Sequence, residues 1–300
     1  MKRGWAAAVL AVTACGVAAT WLPFISDDAL ISFRYAERAA HGLGLTWTDG
    51  ERVEGYTDFL WVLLNIPASW LHVDTIWWAR GLGVAGLLTA VWTVGLGAKG
   101  APLSQGRLTA GLLLATSAPL TVWAVGGLEH TFLAGLLAVA LVGAVRALET
   151  ERWWRVGWAL AACVLTRADG VVLLVGTLAG LVVTSFGAVP LSTLLRRVST
   201  VAAAPSAAWL VQTLGRRAYY GEWVPNTALA KVAFSAQRVH VGVEWVKRGF
   251  IAAWPLLLVA VFVVWLVMLT PRRRQVVTPL VVALSWFSYV ALVGGDIFPA

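Results

Sequence analysis

Apolar runs recur along these 300 residues so regularly that most of the chain belongs in a membrane. They fall at 5–24, 75–98, 108–125, 129–148, 153–166, 169–187, 198–214, 250–270 and 276–293. Most are close to the roughly 20 residues that a helix needs to cross a bilayer core. Only 13% of the residues are charged, against about 25% in soluble domains, which excludes a water-soluble globular fold. The 29 glycines and 18 tryptophans agree, because membrane helices tolerate Gly and gather Trp at their interfaces. A tenth run, 58–73, is shorter, contains Pro67 and is rimmed by Asp58, His72 and Asp74. It is either a crossing or a helix lying along the interface.

Charge separates these two readings. If 58–73 does not cross, then Lys2, Arg3, Lys99, Arg107, Arg146, Arg152, Arg155, Arg196, Arg197 and Arg272–Arg274 all share one face. The only acids on that face are Glu149 and Glu151. If it does cross, every downstream basic cluster moves outside, against the positive-inside rule. The expectation is therefore an all-α polytopic membrane protein with about nine crossings. Residues 25–74 form an amphipathic first outer loop and 215–249 a second one, within a single domain over 1–300. The +8 formal charge then describes cytoplasmic loops and gives no reason to expect nucleic acid. Cys15 and Cys163 lie in apolar runs and read as small buried hydrophobes. Nearly all the acids fall on the outer face, which is where a functional site is expected.

The first loop opens with Ser26-Asp27-Asp28, followed by an amphipathic stretch from Ala29 to Ala40. Ser26 suits an N-cap, and the two aspartates suit a helix N-terminus. They read either as caps only or as catalytic carboxylates held at the level of lipid head groups, where one of them can act as a general base.

The run from Asp27 through Tyr35, with Gly42, Gly44 and then Gly50 to Trp61, resembles the GT-C membrane glycosyltransferases. The nearest branch is that of the mycobacterial terminal arabinofuranosyltransferase. Further blocks follow in the same order: Gly127-Leu128-Glu129-His130-Thr131, Thr166 to Gly170, Tyr219 to Thr227 with Lys231, and Gly294-Gly295-Asp296. His130 stands as an insertion within its block. The resemblance covers 27–296 and implies a GT-C-like bundle in a bacterial plasma membrane, with the site facing outward. It implies a polyprenyl-phosphate sugar donor and an inverting transfer with an aspartate base. The acceptor is a glycan, lipid or protein, and further sequence is implied beyond the last block. Arabinofuranose is the sugar nearest the resemblance, and a hexose such as mannose comes next.

Asp27 and Asp28 are thus the candidate catalytic residues. The candidates for donor binding are Arg34, Glu129, Arg167, Arg216, Arg217, Tyr220, Asn226, Lys231 and Asp296. Arg suits bidentate phosphate binding and Lys acts as a point charge. Competing uses stay open: Arg167 can pair with Asp169, Arg216 and Arg217 can anchor at the interface, and Glu129 can cap a helix. The carboxylates offer oxygen ligands to a divalent cation, although no spacing rule selects a set. No cofactor is otherwise indicated. The rival class is a transporter or flippase of lipid-linked sugars, which calls for ionisable residues at mid-membrane. A catalytically inactive scaffold is a third reading.

Overall fold

The computed structural model describes residues 3–97, 102–226 and 235–295. Among these there are thirteen α-helices and no strand. They are α1 Arg3–Ala19, α2 Ala29–Ala40, α3 Phe59–Trp70, α4 Thr75–Gly95, α5 Gln105–Ala115, α6 Ala118–Val125 and α7 His130–Thr150. Then come α8 Trp153–Thr166, α9 Gly170–Ser185, α10 Leu191–Tyr220, α11 Ala236–Ala252, α12 Trp254–Met268 and α13 Arg274–Val293, the last preceded by a 3-10 turn at Pro271–Arg273.

Local chemistry sets several of these boundaries. The side chains of Asp74, Ser104 and Ser235 each accept the backbone N–H three residues on, starting α4, α5 and α11. Gly221 (φ 79°) and Gly294 (φ 100°) end α10 and α13 in the left-handed conformation that glycine adopts without steric cost. Proline near the first turn restarts two helices after a bend. Pro119 opens α6, which is turned 53° from α5, and Pro255 opens α12, turned 84° from α11.

These breaks correct two expected spans. The run 108–125 is a broken pair, and 250–270 is split at Ala253. The stretch expected as a second loop, 215–249, is also largely helical at its edges. α10 continues to Tyr220 and α11 begins at Ala236. By length and apolarity, α7 and Pro271–Val293 are each sufficient to cross a bilayer, and the two bent pairs raise that number to four.

Packing forms two bundles joined by one tight helix crossing. Leu10, Ala14, Leu87, Val91 and Ala115 form a core between α1, α4, α5 and α6. Val156, Leu160, Val164, Leu181 and Val201 form a larger core among α7–α10 and α13. α4 and α7 join them at a glycine contact. A Cβ added at Gly86 would lie 2.5 Å from Phe132 Cα, and one at Gly135 would lie 2.6 Å from the Gly86 carbonyl oxygen. Small residues permit this close approach. α12 buries none of its residues, as suits a helix surrounded by lipid. α2 and α3 lie across one end of the assembly, on a core of Ala29, Phe33, Trp61, Ala79 and Leu128.

Candidate functional site

Besides α4, which Asp74 caps, four helices begin at that end, and an acidic residue immediately precedes each of them. These are Asp28 before α2, Asp58 before α3, Glu129 before α7 and Asp169 before α9. None uses its side chain to cap its own helix. Each helix N-terminus carries roughly half a positive charge, so four carboxylates can gather here with part of their charge offset. Their side-chain oxygens remain available to other groups.

Backbone hydrogen bonds draw the segments together. The Ser26 N–H donates to the Gly126 carbonyl (3.0 Å) and the Ala168 N–H to that of Thr57 (3.2 Å). The Trp61 indole donates to the Gly127 carbonyl at 3.1 Å. Gly127 has φ 90°, and a Cβ there would lie 2.7 Å from Ile25 Cδ1 and 2.9 Å from Ala29 Cβ. Only glycine lets this turn close onto the first loop. Arg80, within α4, donates to the carbonyls of Leu22 (2.6 Å), Phe24 (3.2 Å) and Val125 (3.0 Å). One guanidinium thereby ties the exit of α1 to the end of α6.

Arg167 is the centre of the buried cluster. It donates to Glu129 Oε1 at 2.6 Å and, in a fork, to both oxygens of Asp169 at 2.8 and 3.0 Å. Its Nη1 also lies 3.4 Å from His130 Nε2. Arginine can only donate, so in this contact Nε2 is the acceptor, and the other ring nitrogen is Nδ1. That Nδ1 is buried and has no hydrogen-bond partner among the described residues; the same holds for Ser26 Oγ. The His130 ring stacks on Trp123, with centroids 4.7 Å apart.

Asp58 is the third carboxylate of the cluster. It is 4% exposed and accepts a 2.6 Å hydrogen bond from Ser32 Oγ. Burial, reinforced by the charge of Glu129, pushes its carboxyl up to about 7. The Ser32 hydrogen bond and the Arg167 charge oppose this and lose. The proton that Asp58 holds near neutral pH limits the repulsion in a group that has one guanidinium for three carboxylates. Among the described residues, no group of three or more His, Cys, Asp or Glu has a metal-holding arrangement.

A second cluster supports the first loop from α10. Arg216 forms a two-point ion pair with Glu54, and both are buried. Arg216 Nη1 also reaches the Trp223 carbonyl at 3.4 Å. Burial raises the Glu54 carboxyl in spite of this partner. The Tyr220 hydroxyl donates to the Leu45 carbonyl at 2.8 Å and lies 3.2 Å from the Tyr56 hydroxyl. The Asn226 N–H donates to the Glu54 carbonyl at 3.2 Å.

The expected site residues therefore fall into distinct settings. Glu129 and Arg167 are brought together in the buried cluster. Asp27 is exposed and accepts the Asp28 N–H on Oδ1 at 3.0 Å. Asp28 is half-buried and stands four residues before Ser32, so the two share a helix face. The Asp27-Asp28 pair is thus more exposed than Asp58, which is reached through Ser32 one turn along α2. Arg34 is exposed and pairs with Glu37 at 3.5 Å. Arg216, Tyr220 and Asn226 belong to the supporting cluster. Arg217 is exposed, hydrogen-bonded to the Gly221 carbonyl and placed over the Trp223 ring. Lys231 and Asp296 lie outside the described residues. Ser26, expected as an N-cap, offers only its carbonyl to the Ala29 N–H; its hydroxyl does not cap.

Asp58 and Ser32 are absent from the expected set. The available signal was an acidic residue at the head of an apolar run, set among Tyr56, Phe59 and Trp61. His130 appears there only as an insertion.

The molecule is thus an all-helical protein with helices apolar enough for a membrane and a buried ionisable cluster at the meeting point of four helix N-termini. Comparison with protein-family models, with curated proteins and with solved structures returned no match.

Proposed function

We propose that the chain is a GT-C-like membrane glycosyltransferase with about nine crossings. It would use a polyprenyl-phosphate sugar at the outer face of a bacterial plasma membrane. The observation that supports this best is spatial. Three blocks of the resemblance, distant in sequence and containing Asp58, Glu129 and Arg167, are hydrogen-bonded around one cluster at one end of the helices. Their ionisable groups sit at helix ends, whereas a lipid-linked-sugar transporter calls for them at mid-membrane.

In this reading an acceptor hydroxyl attacks the anomeric carbon while the bond from that carbon to the phosphate oxygen breaks. Polyprenyl phosphate leaves, the configuration inverts, and Asp27 or Asp28 takes the hydroxyl proton. The phosphate needs charge stabilisation rather than protonation. The converging helix N-termini supply part of it. Arg34 and Arg217, both exposed, and Lys231 are the cations proposed to contribute more. The acceptor is a glycan, lipid or protein, and arabinofuranose is the first sugar to try.

The test is transfer of radiolabelled polyprenyl-phosphate sugars to a saccharide acceptor in membranes that contain the chain. Asp27→Asn or Asp28→Asn is expected to lower the rate by about 10²–10⁴-fold, the usual contribution of a general base. Wild-type rates in both variants would rule out the proposed base. Transfer that is absent from the wild type for every donor tried, together with movement of the lipid-linked sugar between leaflets, would favour the transporter.

A further inference from the structure

At the other end of α7 the chain builds a basic cavity. The C-terminal ends of α7 and α9, the first turns of α10 and the start of α13 enclose about 290 Å³. α7 is 21 residues long, so at 1.5 Å per residue this cavity lies roughly 30 Å from the Glu129 cluster.

Its floor is Arg197, whose side chain is 8% exposed. Arg197 pairs with Glu151 through Nε and Nη2 and donates to Ser185 Oγ at 3.3 Å through Nη1. Ser185 accepts that bond, which leaves its own O–H free to donate into the cavity. The rim carries Arg272 and Arg274. Neither side chain has a hydrogen bond or ion pair among the described residues, although the backbone N–H of Arg272 is held by Thr270 Oγ1 at 3.2 Å. Glu149 is the one acid on the lining, and Glu151, which pairs with Arg197, lies outside it. Gln275 adds an amide, and the N-terminus of α13 adds the positive end of its dipole.

Two unpartnered guanidinium forks, a hydroxyl donor and a helix N-terminus around one concavity match a tetrahedral oxyanion better than a neutral ligand. The cavity also lies at the end of α7, a helix long enough to cross a bilayer, which in the proposed setting would put it at the level of phospholipid phosphates. We propose that it binds a phosphate ester, either the head group of an anionic phospholipid or a small soluble phosphate.

The test uses the purified full chain in detergent micelles and follows thermal unfolding. Dioleoylphosphatidylglycerol is titrated against dioleoylphosphatidylcholine, with inorganic phosphate and glycerol 1-phosphate in parallel. Phosphatidylglycerol is expected to raise Tm and phosphatidylcholine is not. In Arg272→Ala/Arg274→Ala the concentration for half the effect should rise at least about tenfold, as expected for the loss of two interfacial cations. Arg273→Ala removes the same kind of charge from a residue that does not line the cavity and should change it far less. Single Arg272→Ala and Arg274→Ala variants should fall between wild type and the double variant, and they stand in for it if it does not fold. A Tm rise with the soluble phosphates alone, lost in the double variant, identifies a soluble ester as the ligand. Equal shifts with both lipids and none with phosphate, equal losses in Arg273→Ala and the double variant, or an unaltered titration in every variant would overturn the proposal.

Discussion

Truncating Arg167 would leave Glu129, whose side chain is 3% exposed, with a buried charge and no cation. The loss of one partner from such a pair costs about 3–5 kcal/mol. Arg167→Ala should therefore unfold at a clearly lower temperature, while Arg167→Lys should fall between, because it loses the fork to Asp169. Arg216→Ala should be destabilised on the same scale through Glu54. Asp58 behaves differently, because burial and Glu129 favour its neutral form. In the folded chain its carboxyl keeps a proton that the unfolded chain loses near pH 4. By linkage, its contribution to stability is greatest in acid and is lost as the pH rises towards 7. Asp58→Asn, neutral at every pH, should flatten that decline. Unfolding temperatures of both proteins between pH 5 and pH 8 test this, and an unchanged slope would mean that Asp58 is ionised throughout. The sequence made Asp27, Asp28, Glu129 and Arg167 visible because each is a rare charge beside an apolar run. It offered an ion pair of Arg167 with Asp169, and the structure holds that pair. Asp58 was read only as a rim residue, since one chain position cannot reveal that Glu129, 71 residues later, packs near it.

At the level of elements, composition marks where apolar helices occur more clearly than where they stop. The boundaries of α3, α8 and α9 lie within a few residues of the runs that announced them. The bends at Thr116-Ser117 and Ala253 were missed, because hydropathy averages across a proline that opens a new helix. α10 outruns its apolar core at both ends, held at its charged end by the Arg216–Glu54 pair. The α4–α7 crossing depends on the absence of side chains at Gly86 and Gly135. Gly135→Leu would drive four carbons into the α4 backbone, and overpacking of this kind typically costs about 1–3 kcal/mol. Lower folded yield and a lower Tm are expected, with a milder loss for Gly135→Ala. A wild-type Tm for Gly135→Leu would show that the two helices do not pack as described.

Over the whole molecule, charge sorts along the helices. Acids and their partners gather where α3, α7 and α9 begin, and arginines gather where α7 and α9 end. In a background lacking Cys15 and Cys163, cysteines placed at Thr48 and at Arg273 should react with an impermeant thiol reagent from opposite sides of sealed vesicles. Reaction of both from one side would refute the proposed topology. The helices also differ in reach. α1 has 17 residues, or about 26 Å, and the bent α5–α6 pair has 11 and 8. α7 and α13, with 21 and 20 residues, extend to about 30 Å. In the proposed membrane setting, the hydrocarbon beside α1, α5 and α6 would thin, or those helices would tilt, to match their shorter reach. Thinning would bring head groups towards the hairpin that Arg80 ties down. It would also give a long-chain lipid its shortest path to the acidic end of the molecule from that edge.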